Sequence, residues 1–243
     1  MSTYLIVEDD PLHRNFLREV ISTCGVTCDR VLEATDGEQA MQLAEQHALS
    51  GVVMDLQLPH KTGVQAARAI WAQRPAVPIL FWSNYADEAY VRGITKIVPH
   101  STPYGYLLKT ASKQRLGRSM HCVFVDGQNI VDQEIRGVQQ RNANQTSGLS
   151  EAEYEVLLDI AIGLTDQAIA HRRGISLRSV QGRLQQLYAK LGLIEGPTLD
   201  GHTAVYNSRM RAVALAITSR IINGKSIEAA EQDHSRWSGG DPA

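Results

Sequence analysis

Val52-Val53-Met54-Asp55-Leu56-Gln57-Leu58-Pro59 sets an apolar run, then a carboxylate, then a turn that ends in proline. An unbroken apolar run fits a strand covered on both faces, because a strand with one wet face alternates apolar and polar residues. A polar residue where the run stops lies at the strand's carboxyl end, and the amphipathic stretch from about Thr62 supplies a returning helix. The same unit recurs on both sides. Tyr4-Leu5-Ile6-Val7 leads to a helix from about Pro11, Val31-Leu32 to one from about Gly37, Ile79-Leu80-Phe81-Trp82 to a weaker one from about Asp87, and Tyr106-Leu107-Leu108 to one from about Ser112. Five strand-helix repeats imply an α/β domain built on a parallel, doubly wound sheet.

Charged and hydroxyl residues follow these strands at one edge: Glu8 and Asp9 after the first, Asp55 after the third, Ser83 after the fourth and Lys109 after the fifth. In open α/β sheets the ligand site lies outside the carboxyl ends of the strands, and the flavodoxin-like order 2-1-3-4-5 makes strands one and three neighbours. Asp9 and Asp55 are then adjacent. Clustered carboxylates raise each other's pKa unless a cation lies between them, and hard oxygen ligands of this kind suit Mg²⁺.

Glu8-Asp9, Asp55 to Pro59 with Gly63, Ser83, Tyr106 and Lys109 together resemble the receiver domain of response regulators, over about residues 3–123. The resemblance implies that Asp55 is the nucleophile that accepts a phosphoryl group from a phosphorylated sensor histidine kinase. It also implies that Asp9, Asp55 and the backbone carbonyl of Gln57 hold Mg²⁺, with Glu8 acting through water. Lys109 and Ser83 would stabilise the phosphoryl oxygens, and movement of Ser83 would open space for Tyr106 to turn inward as a switch. Phosphoryl transfer asks a protein mainly to position groups and neutralise charge, which these residue types do. An aspartyl phosphotransferase of the dehalogenase type would want a second Asp where Gln57 stands, so the chain is not read as an enzyme beyond its own phosphoryl transfer and slow dephosphorylation. Two features depart from the family: Asn84 follows the switch hydroxyl in place of a small residue, and Ile97 to Pro103 carries two prolines that argue for an irregular loop.

The remainder reads differently. With 243 residues, two domains are expected: a receiver over 1–125, a Gln- and Asn-rich linker over 126–147, a helical domain over 148–224 and a disordered polar tail over 225–243. Basic residues number 24 against 26 acidic, so no overall excess points to a polyanion or a membrane. The odd, scattered Cys24, Cys28 and Cys122 argue against a zinc site and for free thiols in a reducing compartment. No stretch approaches the roughly 18 apolar residues of a membrane span and no basic lead precedes an apolar run, so a cytoplasmic location is expected.

Charge is segregated within the helical part. Glu151, Glu153, Glu155, Asp159 and Asp166 come first, without Lys or Arg among them, and Arg172, Arg173, Arg178, Arg183 and Lys190 follow without an acid. Ser150 with Glu153 has the form of a capping box, and Arg173-Gly174-Ile175-Ser176 joins two helices with a glycine stop and a serine cap. That is helix-turn-helix punctuation. Val180, Leu184, Leu187 and Leu191 form the second helix's core stripe, which leaves Arg178, Gln181, Gly182, Arg183, Gln185 and Gln186 outward. Leu149 to Glu153, Gly163-Leu164-Thr165, Ile175-Ser176 and Tyr188 to Gly192 resemble the LuxR-type output domain of NarL-like regulators. Carried over by position, Gln181, Gly182 and Gln185 face base edges of duplex DNA, and Arg178, Arg183 and Lys190 are candidates for phosphate contact. Arg172 and Arg173 stand open between phosphate contact and a solvated helix end. The stripe Met210, Val213, Ala214, Ile217 and Ile221 resembles the family's last helix, which supports a homodimer, while packing within the domain stands equally open. About a dozen extra residues between Gly192 and Arg209 suggest a loop. The function implied is a phosphorylation-dependent, DNA-binding transcriptional regulator. Two rivals remain: a regulator whose receiver is only a protein-interaction module, and a scaffold that does not bind DNA.

Overall fold

The computed structural model describes residues 2–143, 148–193 and 205–239. Five βα units run in order as β1 (Thr3–Val7), α1 (Pro11–Thr23), β2 (Arg30–Ala34), α2 (Gly37–Gln46), β3 (Gly51–Met54), α3 (Gly63–Gln73), β4 (Ile79–Ser83), α4 (Glu88–Ile97), β5 (Tyr104–Leu108) and α5 (Lys113–Phe124). The strands pair in parallel in the order β2-β1-β3-β4-β5 expected of a flavodoxin-like sheet. Their apolar runs are buried: every residue of β1, β3 and β4 is shielded from solvent. Helix starts follow local chemistry. Asp10 caps α1 by accepting the Leu12 amide at 2.7 Å, and Thr62 with Gln65 forms a reciprocal capping box on α3. The proline-bearing segment after α4 is irregular, with Ser101 at φ 68° and the Thr102 hydroxyl donating to the Pro75 carbonyl.

The segment read as a linker corrects that reading. Ile130–Val131 adds a sixth parallel strand, β6, beside β5, and Gln133–Ala143 forms helix α6. Ile135 and Val138, three residues apart, are buried in the core that holds Phe81 and Tyr106. Asp132, between strand and helix, accepts the Leu108 amide at 2.7 Å and pairs with Arg115. The few apolar residues needed for this add-on are diluted among Gln and Asn, whose abundance reads as solvated chain.

The chain divides into two compact units, Met1–Ala86 with Tyr90–Val138, and Asp87–Ala89 with Gln139–Ala243. Among the described residues the elements of the second are helices: α7 (Glu151–Ala161), α8 (Asp166–Arg173), α9 (Leu177–Lys190), α10 (Ser208–Thr218) and α11 (Gly224–Gly239). Its core gathers Tyr154, Leu157, Ile169, Val180, Leu184, Leu187, Ala212 and Ala216. Helix α11 occupies the segment expected to be disordered. Asn223 and Ser226 exchange hydrogen bonds at its start, and Ile227 and Ala230, three residues apart, turn into the domain. Most of the inserted loop expected between Gly192 and Arg209 lies outside the described residues.

Gly63 shows how closely the Asp55 loop is packed. A Cβ there would stand 2.0 Å from the backbone carbonyl oxygen of Asp55, a backbone atom with no rotamer to retreat into. Gly63→Ala is expected to cost about 1–3 kcal/mol of stability through overpacking, read as a lowered urea midpoint at unchanged slope.

Candidate functional site: an acidic pocket and a helix-turn-helix

Parallel register delivers the ends of β1, β3 and β5 to one rim, and there Glu8, Asp9 and Asp55 offer carboxylate oxygens that all lie within 4.8 Å of one another. Glu8 is 1% exposed and Asp55 4%, whereas Asp9 opens to solvent. The Lys109 ammonium reaches across from the end of β5 to within 2.9 Å of Asp55 Oδ2 and 2.8 Å of Glu8 Oε2. Arg14 fixes the acid pair from below by donating to the carbonyls of Glu8 and Asp9, both at 2.8 Å. The Gln57 amide donates to Asp55 Oδ1 at 3.2 Å. Ser83 is fully buried at the end of β4, its carbonyl accepts the Lys109 amide at 2.7 Å, and its hydroxyl lies 3.5 Å from the Tyr85 amide.

Burial pushes the Glu8 carboxyl above its usual range; the hydrogen bond from Lys109 opposes the rise and the charge of Asp55 adds to it. Burial also disfavours the charged Lys109, but the carboxylates of Asp55 and Glu8 outweigh it and hold the ammonium above the ordinary lysine range. Three carboxylates therefore lie together beside one lysine, which pairs with two of them, Asp55 and Glu8, and the side chains carry a formal negative excess. An all-oxygen donor set with that excess fits a small divalent cation such as Mg²⁺.

In the second unit, Gly174 terminates α8 at φ 61° and Ser176 caps α9, giving the expected turn between the two helices. Arg178, Gln181 and Gln185 are exposed along α9, with Gly182 and Arg183 half-exposed, and outside its own helix backbone and chain neighbours no described atom lies within 4 Å of where a Gly182 Cβ would be. Lys190 is committed elsewhere: its ammonium donates to Glu153 at 2.8 Å and to the Gly148 carbonyl at 2.9 Å. Arg172 and Arg173 converge on Asp159, which is 0% exposed, each at 2.8 Å.

Residues 4–120 match the response regulator receiver domain family. The transcriptional regulatory protein YdfI of Bacillus subtilis (strain 168) is 30% identical over 230 residues, spanning 91% of this chain and 98% of its own length. The chain belongs to the response regulator family. The probable transcriptional regulatory protein NarL of Mycobacterium tuberculosis (strain H37Rv) is 27% identical over 225 residues, covering 90% and 95% of the two chains. Among solved structures, RcsB in two dimers bound to two parallel DNAs shares the fold, with a TM-score of 0.58 at 16% identity over 89% of this chain and 99% of that one.

The regulator brings Glu8, Asp9, Asp55 and Lys109 together as its sequence implied, with the Gln57 backbone beside Asp55 and Ser83 bonded to Lys109 through the backbone. Tyr106 is the residue expected to turn inward. Its ring is already inward, 1% exposed and edge-on to Phe81, with the hydroxyl donating to the Tyr85 carbonyl at 3.0 Å. Lys190, a candidate for phosphate contact, pairs with a buried glutamate within its own unit. Arg172 and Arg173 are both partly exposed and both bound by a buried carboxylate. Along α10 the two readings divide: Ala212 and Ala216 face the core, while Met210, Ala214 and Ile217 are exposed. His13, Arg14 and Trp82 all meet the acidic pocket and escaped the sequence reading. Their one available signal was that α1 starts and β4 ends beside it.

Glu153 supplies a pH test of the regulator's second unit. Burial alone would raise its carboxyl, but hydrogen bonds from Lys190 and the Ser150 amide outweigh that and hold it below the usual glutamate range. A depressed folded pKa stabilises the fold above the unfolded value of about 4.3 and loses that contribution as pH falls through the folded one. Glu153→Gln is therefore expected to be less stable near neutrality and to lose less between about pH 5 and about pH 3 than the wild type. Urea titrations of the full chain read by α7 amide NMR signals check this.

Proposed function

We propose that the regulator accepts a phosphoryl group on Asp55 from a sensor histidine kinase, and that this modification controls its binding to duplex DNA through α9. The observation that carries this reading is the Asp55 carboxylate, nearly enclosed, 2.9 Å from a lysine and beside two further acids. An Asp55 oxygen attacks phosphorus, the phosphorus–nitrogen bond of the phosphohistidine breaks with its electron pair returning to the ring, and an acyl phosphate forms. Lys109 neutralises charge on the phosphoryl oxygens, Ser83 donates a hydrogen bond to one of them, and Arg14 holds the backbone that carries Glu8 and Asp9. Asp9, Asp55 and the Gln57 carbonyl would hold Mg²⁺, with Glu8 acting through water; when bound, the ion supplies neutralising charge. An acyl phosphate is labile, so the signal decays.

On the DNA side, Gln181 and Gln185 are placed to bond base edges and Arg178 and Arg183 to meet phosphates, while Gly182 contributes close approach without a side chain to read with. The names of the relatives support a role in transcription. The exposed Met210, Ala214 and Ile217 of α10 offer a surface for a homodimer in the active form. Among the described residues no helix is long and apolar enough to cross a membrane, which agrees with action in the cytoplasm.

Incubation of the full chain with acetyl phosphate and Mg²⁺, followed by intact mass, is expected to show a single phosphoryl adduct that Asp55→Asn abolishes. A wild type that takes no phosphate would leave the receiver as a protein-interaction module, and an adduct that survives the substitution would move the site elsewhere. On duplex DNA, Gln185→Ala is expected to cost about 1–3 kcal/mol of specific binding, and Arg183→Ala to reduce the salt slope by about one. Specific binding unchanged in both variants removes α9 as the reading surface.

A further inference from the structure

Lysine is a strongly hydrated charge on a flexible stem, and a phosphoryl site gains from it only if the ammonium already stands where charge will develop. In this chain the Lys109 ammonium has carboxylates on one side, Asp55 at 2.9 Å and Glu8 at 2.8 Å, and an aromatic face on another. The Trp82 ring centroid lies 5.1 Å from Nζ. That is inside the roughly 6 Å over which a ring quadrupole attracts a cation. We propose that Trp82 is a positioning residue for phosphoryl transfer, an aromatic floor that holds the Lys109 ammonium against Asp55. The proposal rests on the reading of Asp55 as phosphoacceptor and adds a residue to that machinery.

The ring is fixed before the cation meets it. Trp82 is 2% exposed, stacks on Phe16 of α1 with centroids 5.8 Å apart and planes 22° apart, and takes His13 edge-on at 5.3 Å. Its Nε1 is buried and has no hydrogen-bond partner among the described residues, so the polar edge of the indole does not set its orientation. Packing and the cation do. In the ladder Trp82 lies opposite Leu107, two residues before Lys109, so strand register brings ring and lysine together without a loop to adjust. His13 completes the surround, with Nδ1 3.3 Å from Nζ and 3.2 Å from Glu8 Oε1. An aliphatic residue at position 82 would fill the volume and offer no negative face. The lysine stem would then recover rotamers that take the ammonium away from Asp55, and freezing them again would add to the barrier.

The test compares wild type, Trp82→Phe and Trp82→Leu as full chains with acetyl phosphate and Mg²⁺, with rates normalised to the folded fraction. Trp82→Leu is expected to lower the maximal rate about threefold to thirtyfold, and Trp82→Phe, which keeps a weaker π face, to fall between. A purely structural role would lower the melting temperature and leave the normalised rate alone. The second readout needs no activity: ring current from the indole shifts the Lys109 ε-methylene protons upfield in wild type, and Trp82→Leu returns them toward their ordinary position. A folded Trp82→Leu with the wild-type rate overturns the proposal, and so does a Lys109 ε-methylene signal at its ordinary position in wild type. The latter measurement decides the matter if Trp82→Leu does not fold. A wild type that takes no phosphate yet shows the shifted signal overturns the phosphoacceptor reading and leaves the ring-lysine contact standing.

Discussion

A lysine held between two buried carboxylates is the constraint on which the first unit is organised. Lys109 reaches Asp55 and Glu8 from a different strand, so the contact exists only when β1, β3 and β5 lie in register with their carboxyl ends level. Burial pushes the Glu8 carboxyl above its usual range, and the hydrogen bond from Lys109 opposes that rise. The neighbourhood is built to keep this arrangement still. Asp10 caps α1, Arg14 of the same helix grips the carbonyls of Glu8 and Asp9, and Gly63 lets α3 start against the Asp55 carbonyl.

How far this could be read in the sequence follows from where the information lies. Buried parallel strands announce themselves, because both faces demand apolar side chains, and Asp55 at the end of such a run is visible without coordinates. Helix boundaries were equally legible wherever local chemistry decides them, as with the box of Ser150 and Glu153 that starts α7 and the Gly174 stop that ends α8. Elements whose burial depends on a few residues were not. Helix α6 is anchored by Ile135 and Val138 in a field of Gln and Asn, and α11 by Ile227 and Ala230 in a polar tail. Their stability comes from the surface they dock on, which no window of local sequence contains. The aromatic surround of Lys109 was hidden for a related reason: an apolar strand shows that Trp82 is buried, not which cation lies over it.

The charge segregation of the second unit teaches the same lesson in electrostatics. Acids first and bases later reads as a surface divided between them, yet several of these charges serve the interior. Asp159 draws in Arg172 and Arg173, and Glu153 draws in Lys190. A fully buried aspartate requires such partners, and their loss would strand a charge. Burial opposes the charge of Arg173, but Asp159 more than restores it. Of the five bases counted from sequence, Arg178 and Arg183 are left without an ion pair among the described residues.

The first turn of α9 contains Arg178 and no acid, although the positive end of a helix dipole favours acids there, by about 0.3–1 kcal/mol each. Ser176 satisfies the Ser179 amide, so the helix is capped without recruiting an anion from its own chain. A cation at the wrong end of a helix dipole is a local cost to folding; α7 and α8 carry acids in their first turns, whereas α10, like α9, carries arginine there and relies on its side-chain cap. The same cation adds its field to the dipole in the direction that attracts an external polyanion. A cost of this kind is intelligible where the missing negative charge arrives from outside, which is the arrangement a phosphate backbone along α9 would complete.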